Sequence, residues 1–326
     1  MRSRPARLLL SPVIWASLVL APFVLNGWAV TQLSLYMSYG ILAMALAFIW
    51  GQAGIMSFGQ AIFFGLGGYC MGLVTLGRLP VLGDSTFMGL VLCILLTFVV
   101  SFILGRLLFH GRGLAGAYFA IVTLCGAVVV EALAQQWSFI GGFDGLLGIP
   151  PWMAFWRDDA DPYLSTMEVY FLMLGVAFLI FLGLSFFIRS PIGTVLAAIR
   201  DNEERTAFFG YDIVRYKVGA FTISAVVSGI AGALFVKQFG FAAPSLIGLG
   251  LSTEVLIWVA VGGRNALLAA FLGALVVRSV EGALSERLGY YWVLLLGILF
   301  IATVIFMPSG IFGRILRPAL PKRFQE

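Results

Sequence analysis

Few residues in this chain could do chemistry, and the most telling of them form a polar stretch, Arg189 to Tyr211, set between long apolar segments. Ser190-Pro191 reads as a helix N-cap followed by proline at the first helical position. A short helix to about Arg200 follows, with Val195, Leu196 and Ile199 on an apolar face. Asp201, Asn202, Glu203 and Glu204 repeat the start signal: Asp201 is placed to cap a second helix, and Glu204 then falls at N3, as in a capping box. Gly210 can end that helix in a left-handed turn. The second helix, about Asn202 to Phe209, would present Glu203, Arg205 and the Phe208-Phe209 pair. The chemistry of such a surface is recognition, because interface centres favour aromatic residues and arginine. A solvated loop whose charges set topology is the alternative reading of the same stretch.

A second group is polar but lies in apolar surroundings. The run Gly51 to Gly68 is rich in small residues that let helices approach closely in lipid. Gln52, Ser57 and Gln60 add hydrogen-bonding groups that must find partners there. Ser57 and Gln60 are about one turn apart, so both could face one lumen. Glu254 stands inside an apolar run, where a charge costs about 2.5–3.5 kcal/mol on insertion scales. It should face protein or water, with Lys237 or Arg278 as partner; a structural ion pair and a functional acid both fit. Glu131 is similar but nearer a segment end, and Gly262-Gly263-Arg264 reads as a tight turn with an orientation-setting arginine.

Other chemistry is scarce. The single histidine, His110, lies between Arg106 and Arg112 at a segment end. Cys70, Cys93 and Cys125 have no paired spacing, so neither a disulfide framework nor a metal site is expected. A membrane enzyme is a poor reading without clustered acids. None of the three lysines (Lys217, Lys237, Lys322) follows a glycine, so the Gly-Lys-Ser/Thr core of a phosphate-binding loop cannot be written. No cofactor is expected on this chain.

The elements that must position these residues are membrane helices. The chain has 326 residues, of which 61% are hydrophobic and 11% charged, with a mean hydropathy of +1.04. Soluble domains carry roughly 25% charged residues. The basic balance is therefore a topological signal rather than a sign of nucleic acid. Spans need about 20 apolar residues, and ten candidate segments result: Leu8–Asn26, Leu33–Trp50, Ile55–Gly77, Phe87–Phe109, Leu114–Leu133, Val169–Phe187, Val218–Gly240, Leu251–Val261, Ala266–Val280 and Tyr290–Phe306. The eighth and ninth are short, so eight crossings are the alternative. Arg2, Arg4 and Arg7 ahead of the first segment resemble a signal-peptide start, but the apolar run is long enough to span and is kept as a helix. With the N-terminus inside, most lysines and arginines fall on inside segments, which puts both termini in the cytoplasm. One all-α transmembrane domain, residues 1–326, then carries a cytoplasmic loop at 188–217 and an external loop at 135–166. Segments two to five and seven to ten are offset by five crossings, so the halves could be inverted repeats.

Several of these motifs, in order, resemble a known family. Gly51–Tyr69, Ala117–Leu124, Gly141–Pro150 with its Gly-Gly-Phe-Asp-Gly-Leu run, Ser190–Lys217, Ile257–Arg264 and Pro308–Gly313 are similar to the permeases of branched-chain amino acid ATP-binding-cassette importers, and most to the larger of the two permease types. That resemblance implies a complex of two permeases, two cytoplasmic ATPases and a periplasmic binding protein, in a bacterial inner membrane, with ATP used by the ATPases. It implies an ATPase-coupling role for Arg200, Asp201, Asn202, Glu203, Glu204, Arg205, Phe208, Phe209 and Gly210. Candidates for a substrate path are Gln52, Ser57, Gln60, Tyr118, Thr123 and Glu254. Branched-chain amino acids are the first expectation for substrate and urea or short amides the second. An ATP-independent secondary transporter, using Glu254 as a titrating acid, is the reading from a different class.

Overall fold

Two helices of 27 residues each organise the bundle. In a computed structural model, residues 4–80, 83–110, 116–153, 163–289, 291–306 and 310–316 are described. Their helices are α1 (Arg4–Val24), α2 (Gly27–Ala53), α3 (Gln60–Thr75), α4 (Thr86–Phe109), α5 (Gly116–Gln136), α6 (Thr166–Arg189), α7 (Pro191–Asp201), α8 (Glu203–Phe208), α9 (Ile213–Phe239), α10 (Leu249–Gly262), α11 (Leu267–Leu288), α12 (Tyr291–Phe306) and α13 (Gly313–Leu316). Two short strands, β1 (Leu146–Leu147) and β2 (Phe241–Ala242), pair antiparallel with Leu146 opposite Ala242.

Seven of these helices are long and apolar enough to cross a membrane: α2, α4, α5, α6, α9, α10 with the turn before it, and α11. The protein is thus a polytopic helical bundle. The other three sequence segments fall on α1, α3 and α12, whose apolar stretches are shorter.

Burial separates the helices into two kinds. The spanning windows of α2 and α9 are mostly buried, whereas those of α4 and α6 are mostly not. Exposed Leu95, Phe98, Phe102 and Ile103 on α4 cost nothing in lipid, which is as apolar as they are. Close packing comes from small residues instead. A Cβ on Gly67 of α3 would overlap the Gly229 backbone of α9, and a Cβ on Gly232 of α9 would overlap the Phe64 carbonyl. The glycines of α3 are thus packing residues.

A repeated element order is visible. Both α2 and α9 end in a left-handed glycine, Gly54 at φ +70° and Gly240 at φ +76°. Each is followed by a stretch outside any α-helix and a shorter helix, α3 or α10, then by α4 or α11. α2 packs along α11 while α9 packs along α4, and α2 and α9 pack on each other. The two long helices run in opposite directions. The end of α2 meets α7, because Arg200 reaches the Gly51 carbonyl. The end of α9 meets the opposite face, where the Ile149 amide donates to the Gly240 carbonyl and β1 pairs with β2. At about 1.5 Å per residue, 27 residues separate these faces by roughly 40 Å.

Candidate functional site

The polar stretch between α6 and α9 folds as two short helices at the face where α2 ends. Ser190 caps α7 by accepting from the Gly193 amide at 3.4 Å, with Pro191 at the first position. Leu196 and Ile199 are buried, so the apolar face of α7 lies against the bundle. The second cap differs from the sequence reading. α7 continues through Asp201, and Asn202 rather than Asp201 caps α8, its Oδ1 accepting from the Arg205 amide at 2.9 Å. Arg205, not Glu204, therefore occupies N3, and no capping box forms there. A residue in extended conformation (ψ 103°) must separate the helices, and Asn202 takes that place. Gly210 ends the element at φ +84°, as expected.

The nine coupling candidates do not share one direction. Phe208 and Phe209 are 91% and 82% exposed, a large apolar pair at the tip of the element. Glu204, Arg205 and Asp201 are exposed beside them. Two others point back into the protein. Glu203 pairs with Lys217 of α9 at 2.5 Å, and the Arg200 guanidinium donates to the Gly51 carbonyl at 2.6 Å while its other nitrogens meet Asp201. A cavity of about 110 Å³ lies beneath, lined by Gly54, Met56, Phe119, Arg200, Glu203 and Lys217 among others.

The same face carries a clasp that sequence reasoning missed. A Cβ on Gly51 would overlap the Arg264 carbonyl, so the turn between α10 and α11 sits directly on α2. The Arg264 guanidinium lies 5.3 Å from the Trp50 ring centre. Beyond α12, the Ile311 and Phe312 amides donate to the Val261 and Gly262 carbonyls. Only the glycines hinted at this, and their contacts are remote in sequence.

The path candidates are dispersed. Residues 54–59 are not helical, so Ser57 and Gln60 are not one helical turn apart as expected: α3 begins at Gln60. Ser57 is buried and its hydroxyl accepts from the Gly59 amide at 3.2 Å. Gln60 is buried and accepts from the Ser228 hydroxyl of α9 at 2.8 Å, while its Nε2 has no hydrogen-bond partner among the described residues. Thr123 of α5 accepts from the Phe58 amide at 3.2 Å, fastening the same non-helical segment. Gln52 is half-buried in the last turn of α2, and Tyr118 is 75% exposed on the outer side of α5. Glu254 belongs to a separate ion cluster, 3.4 Å from Arg278, which also binds Glu281 at 2.6 Å; of the two cations considered for it, Arg278 is the partner. Glu131 of α5 stands against Gly248, the cap of α10. No group of three or more metal-ligating side chains occurs among the described residues.

A family model described as branched-chain amino acid transport system / permease component matches residues 29–304. The chain is 30% identical to the high-affinity branched-chain amino acid transport system permease protein LivM of Salmonella typhimurium, over 91% of this chain and 74% of that one. Against the protein of the same name from Escherichia coli the identity is 30%, over 91% and 73%. Against the probable branched-chain amino acid transport permease protein LivM of Methanocaldococcus jannaschii it is 24%, over 88% and 94%. No solved structure matches.

Proposed function

The chain belongs to the branched-chain amino acid transport permease family, and from that premise we propose how its parts serve an ATP-binding-cassette importer. It is the permease component, a multi-pass protein of the inner membrane. The reading is that it forms a translocation path with a second, homologous permease, and that two cytoplasmic ATPases and a periplasmic binding protein complete the machine. ATP is bound and hydrolysed on the ATPases, and this chain carries no cofactor. Branched-chain amino acids are the substrate class, supported by the names of the relatives.

The observation that carries this reading is the α7–α8 element: capped at both starts, anchored by Leu196 and Ile199, and presenting exposed Phe208 and Phe209. An exposed aromatic pair on a water-facing element suits a protein partner. α7–α8 is the ATPase-docking surface, with Arg205, Phe208 and Phe209 in contact. Its face is the cytoplasmic one, and both termini lie there. α1 begins and α13 packs on that side, in keeping with ten crossings and two halves of opposite orientation. Residues 135–166 then face the binding protein. Of the path candidates, Gln60 with its free amide nitrogen is the one whose chemistry best suits a polar path.

A secondary carrier needs a membrane acid that takes up and releases a proton. Glu254 lies in an ion network with Arg278, which favours the importer. Affinity purification of the chain from its native membrane, with mass spectrometry of its companions, tests the proposal. An ATPase and a second permease are the expected companions. A chain that purifies alone and transports in ATP-free vesicles under an ion gradient would overturn it.

A further inference from the structure

The non-helical segment 54–59 is held from two directions, and one of them is the α7–α8 element. Inside a membrane protein every backbone polar group needs a partner, so irregular chain at this depth persists only where side chains supply one. On the far side, Thr123 accepts from the Phe58 amide and Ser228 of α9 binds Gln60. On the near side, α2 ends with carbonyls that have no helical donor and with the negative end of its dipole. A guanidinium answers both, and Arg200 supplies it to the Gly51 carbonyl. The stem of the same side chain covers Gly54: a Cβ there would stand 2.8 Å from Arg200 Cγ.

Arg200 is in the last turn of α7, two residues before the Asn202 cap of α8. The element therefore has two polar attachments of different kinds. Glu203–Lys217 holds it to α9, which runs on unbroken, whereas Arg200–Gly51 holds it to α2 just before the chain breaks. Between these attachments lies the cavity of about 110 Å³ that Met56 lines, so the segment has space to move into. A displacement of α7–α8 relative to α9 must then pull on Gly51 or let it go.

Resting on the reading of α7–α8 as the docking element, we propose that Arg200 is the positioning residue that carries its movement to segment 54–59. Arg200 works by the link to Gly51, not by contact with the ATPase. The test uses the complete reconstituted complex, with Met56→Cys introduced in a Cys125→Ser background; Cys70 and Cys93 are buried. Labelling at position 56 by a water-soluble maleimide is timed without nucleotide and with a non-hydrolysable ATP analogue. With Arg200 in place, the analogue changes the rate several-fold. With Arg200→Ala, the ATPase is still recovered and hydrolyses ATP, the labelling rate no longer responds, and uptake falls about tenfold, within the range for residues on a coupling route.

A wild-type labelling response and wild-type uptake in Arg200→Ala would overturn the proposal. If that variant does not accumulate, Arg200→Lys is read in the same way, since it keeps the charge but loses the planar fork. If neither accumulates, the residue serves folding and the proposal is overturned. If no ATPase is recovered with the unsubstituted chain, the docking reading fails, and this proposal with it.

Discussion

The Arg278 guanidinium of α11 lies 4.5 Å from the ring centre of Tyr39 of α2. The contact ties the two helices together near the middle of each. Trp258 of α10 flanks the cation on another side, at 5.8 Å, and Glu281 and Glu254 bind it at 2.6 and 3.4 Å. All three charged side chains are part-buried. Replacing Arg278 by methionine keeps the volume but leaves two carboxylates close together without a cation. Breaking a buried pair from one side costs about 3–5 kcal/mol. We expect Arg278→Met to lower the thermal unfolding midpoint in detergent by many degrees, and Glu254→Gln with Glu281→Gln added to recover most of it. An unchanged midpoint in the single variant would show that the cluster is not what joins α2, α10 and α11.

Phe208 and Phe209 make few contacts within the chain, so truncating them removes nothing from the fold. Truncation of aromatic anchors at interface centres costs about 2 kcal/mol or more of binding. Phe208→Ala with Phe209→Ala should leave the membrane level unchanged, reduce the recovered ATPase at least about tenfold and cut uptake in proportion. Arg205→Glu should act in the same direction. Normal uptake by a normally expressed double variant would remove the docking assignment.

The packing of α3 on α9 depends on Gly232, whose Cβ would overlap the Phe64 carbonyl, whereas Gly219 of the same helix has open space at that position. Alanine at both sites raises intrinsic helix propensity by up to about 1 kcal/mol. Overpacking costs about 1–3 kcal/mol or more, because backbone cannot yield as a side chain can. Gly232→Ala should therefore destabilise the protein while Gly219→Ala is neutral or mildly stabilising. Thermal unfolding of the two variants side by side checks this, and equal midpoints would mean that α3 and α9 are not in backbone contact.

The apolar helices, the capped element at 190–210 and the left-handed Gly210 were legible because each is a local signal. Hydropathy, a Ser-Pro pair and a terminal glycine report on their own immediate chain. The misreading of Asp201 as a cap marks the limit of that logic: Asp201 and Asn202 are both good caps, and the choice between them follows from how far α7 stays anchored through Ile199. The break at 54–59 could not be placed from sequence, because a glycine-rich apolar run suits a tight helix and irregular chain equally. What resolves it is Thr123, sixty-five residues away. The link from Arg200 to Gly51 and the seat of Gly51 on Arg264 are likewise contacts between distant segments, with no period to reveal them.

Thr123 separates two roles that the sequence left together, lining a path and holding the chain beside it. Its hydroxyl donates to the Phe119 or Ala120 carbonyl and accepts from the Phe58 amide, and it is buried. Valine has the same shape without the oxygen, so Thr123→Val leaves the part-buried Phe58 amide without its acceptor. An unsatisfied buried donor costs about 1–3 kcal/mol. Serine keeps the oxygen and removes only a methyl group. If Thr123 serves chiefly to fix segment 54–59, then Thr123→Ser transports nearly as the parent does. Thr123→Val then loses stability and uptake together for every substrate. A residue that lines the path predicts another pattern: stability unchanged in both variants, and uptake altered differently for small and large substrates. Unfolding midpoints and uptake of two substrates of unequal size, measured on both variants, decide between them. The hydrogen bond to Phe58 leads us to expect the first pattern.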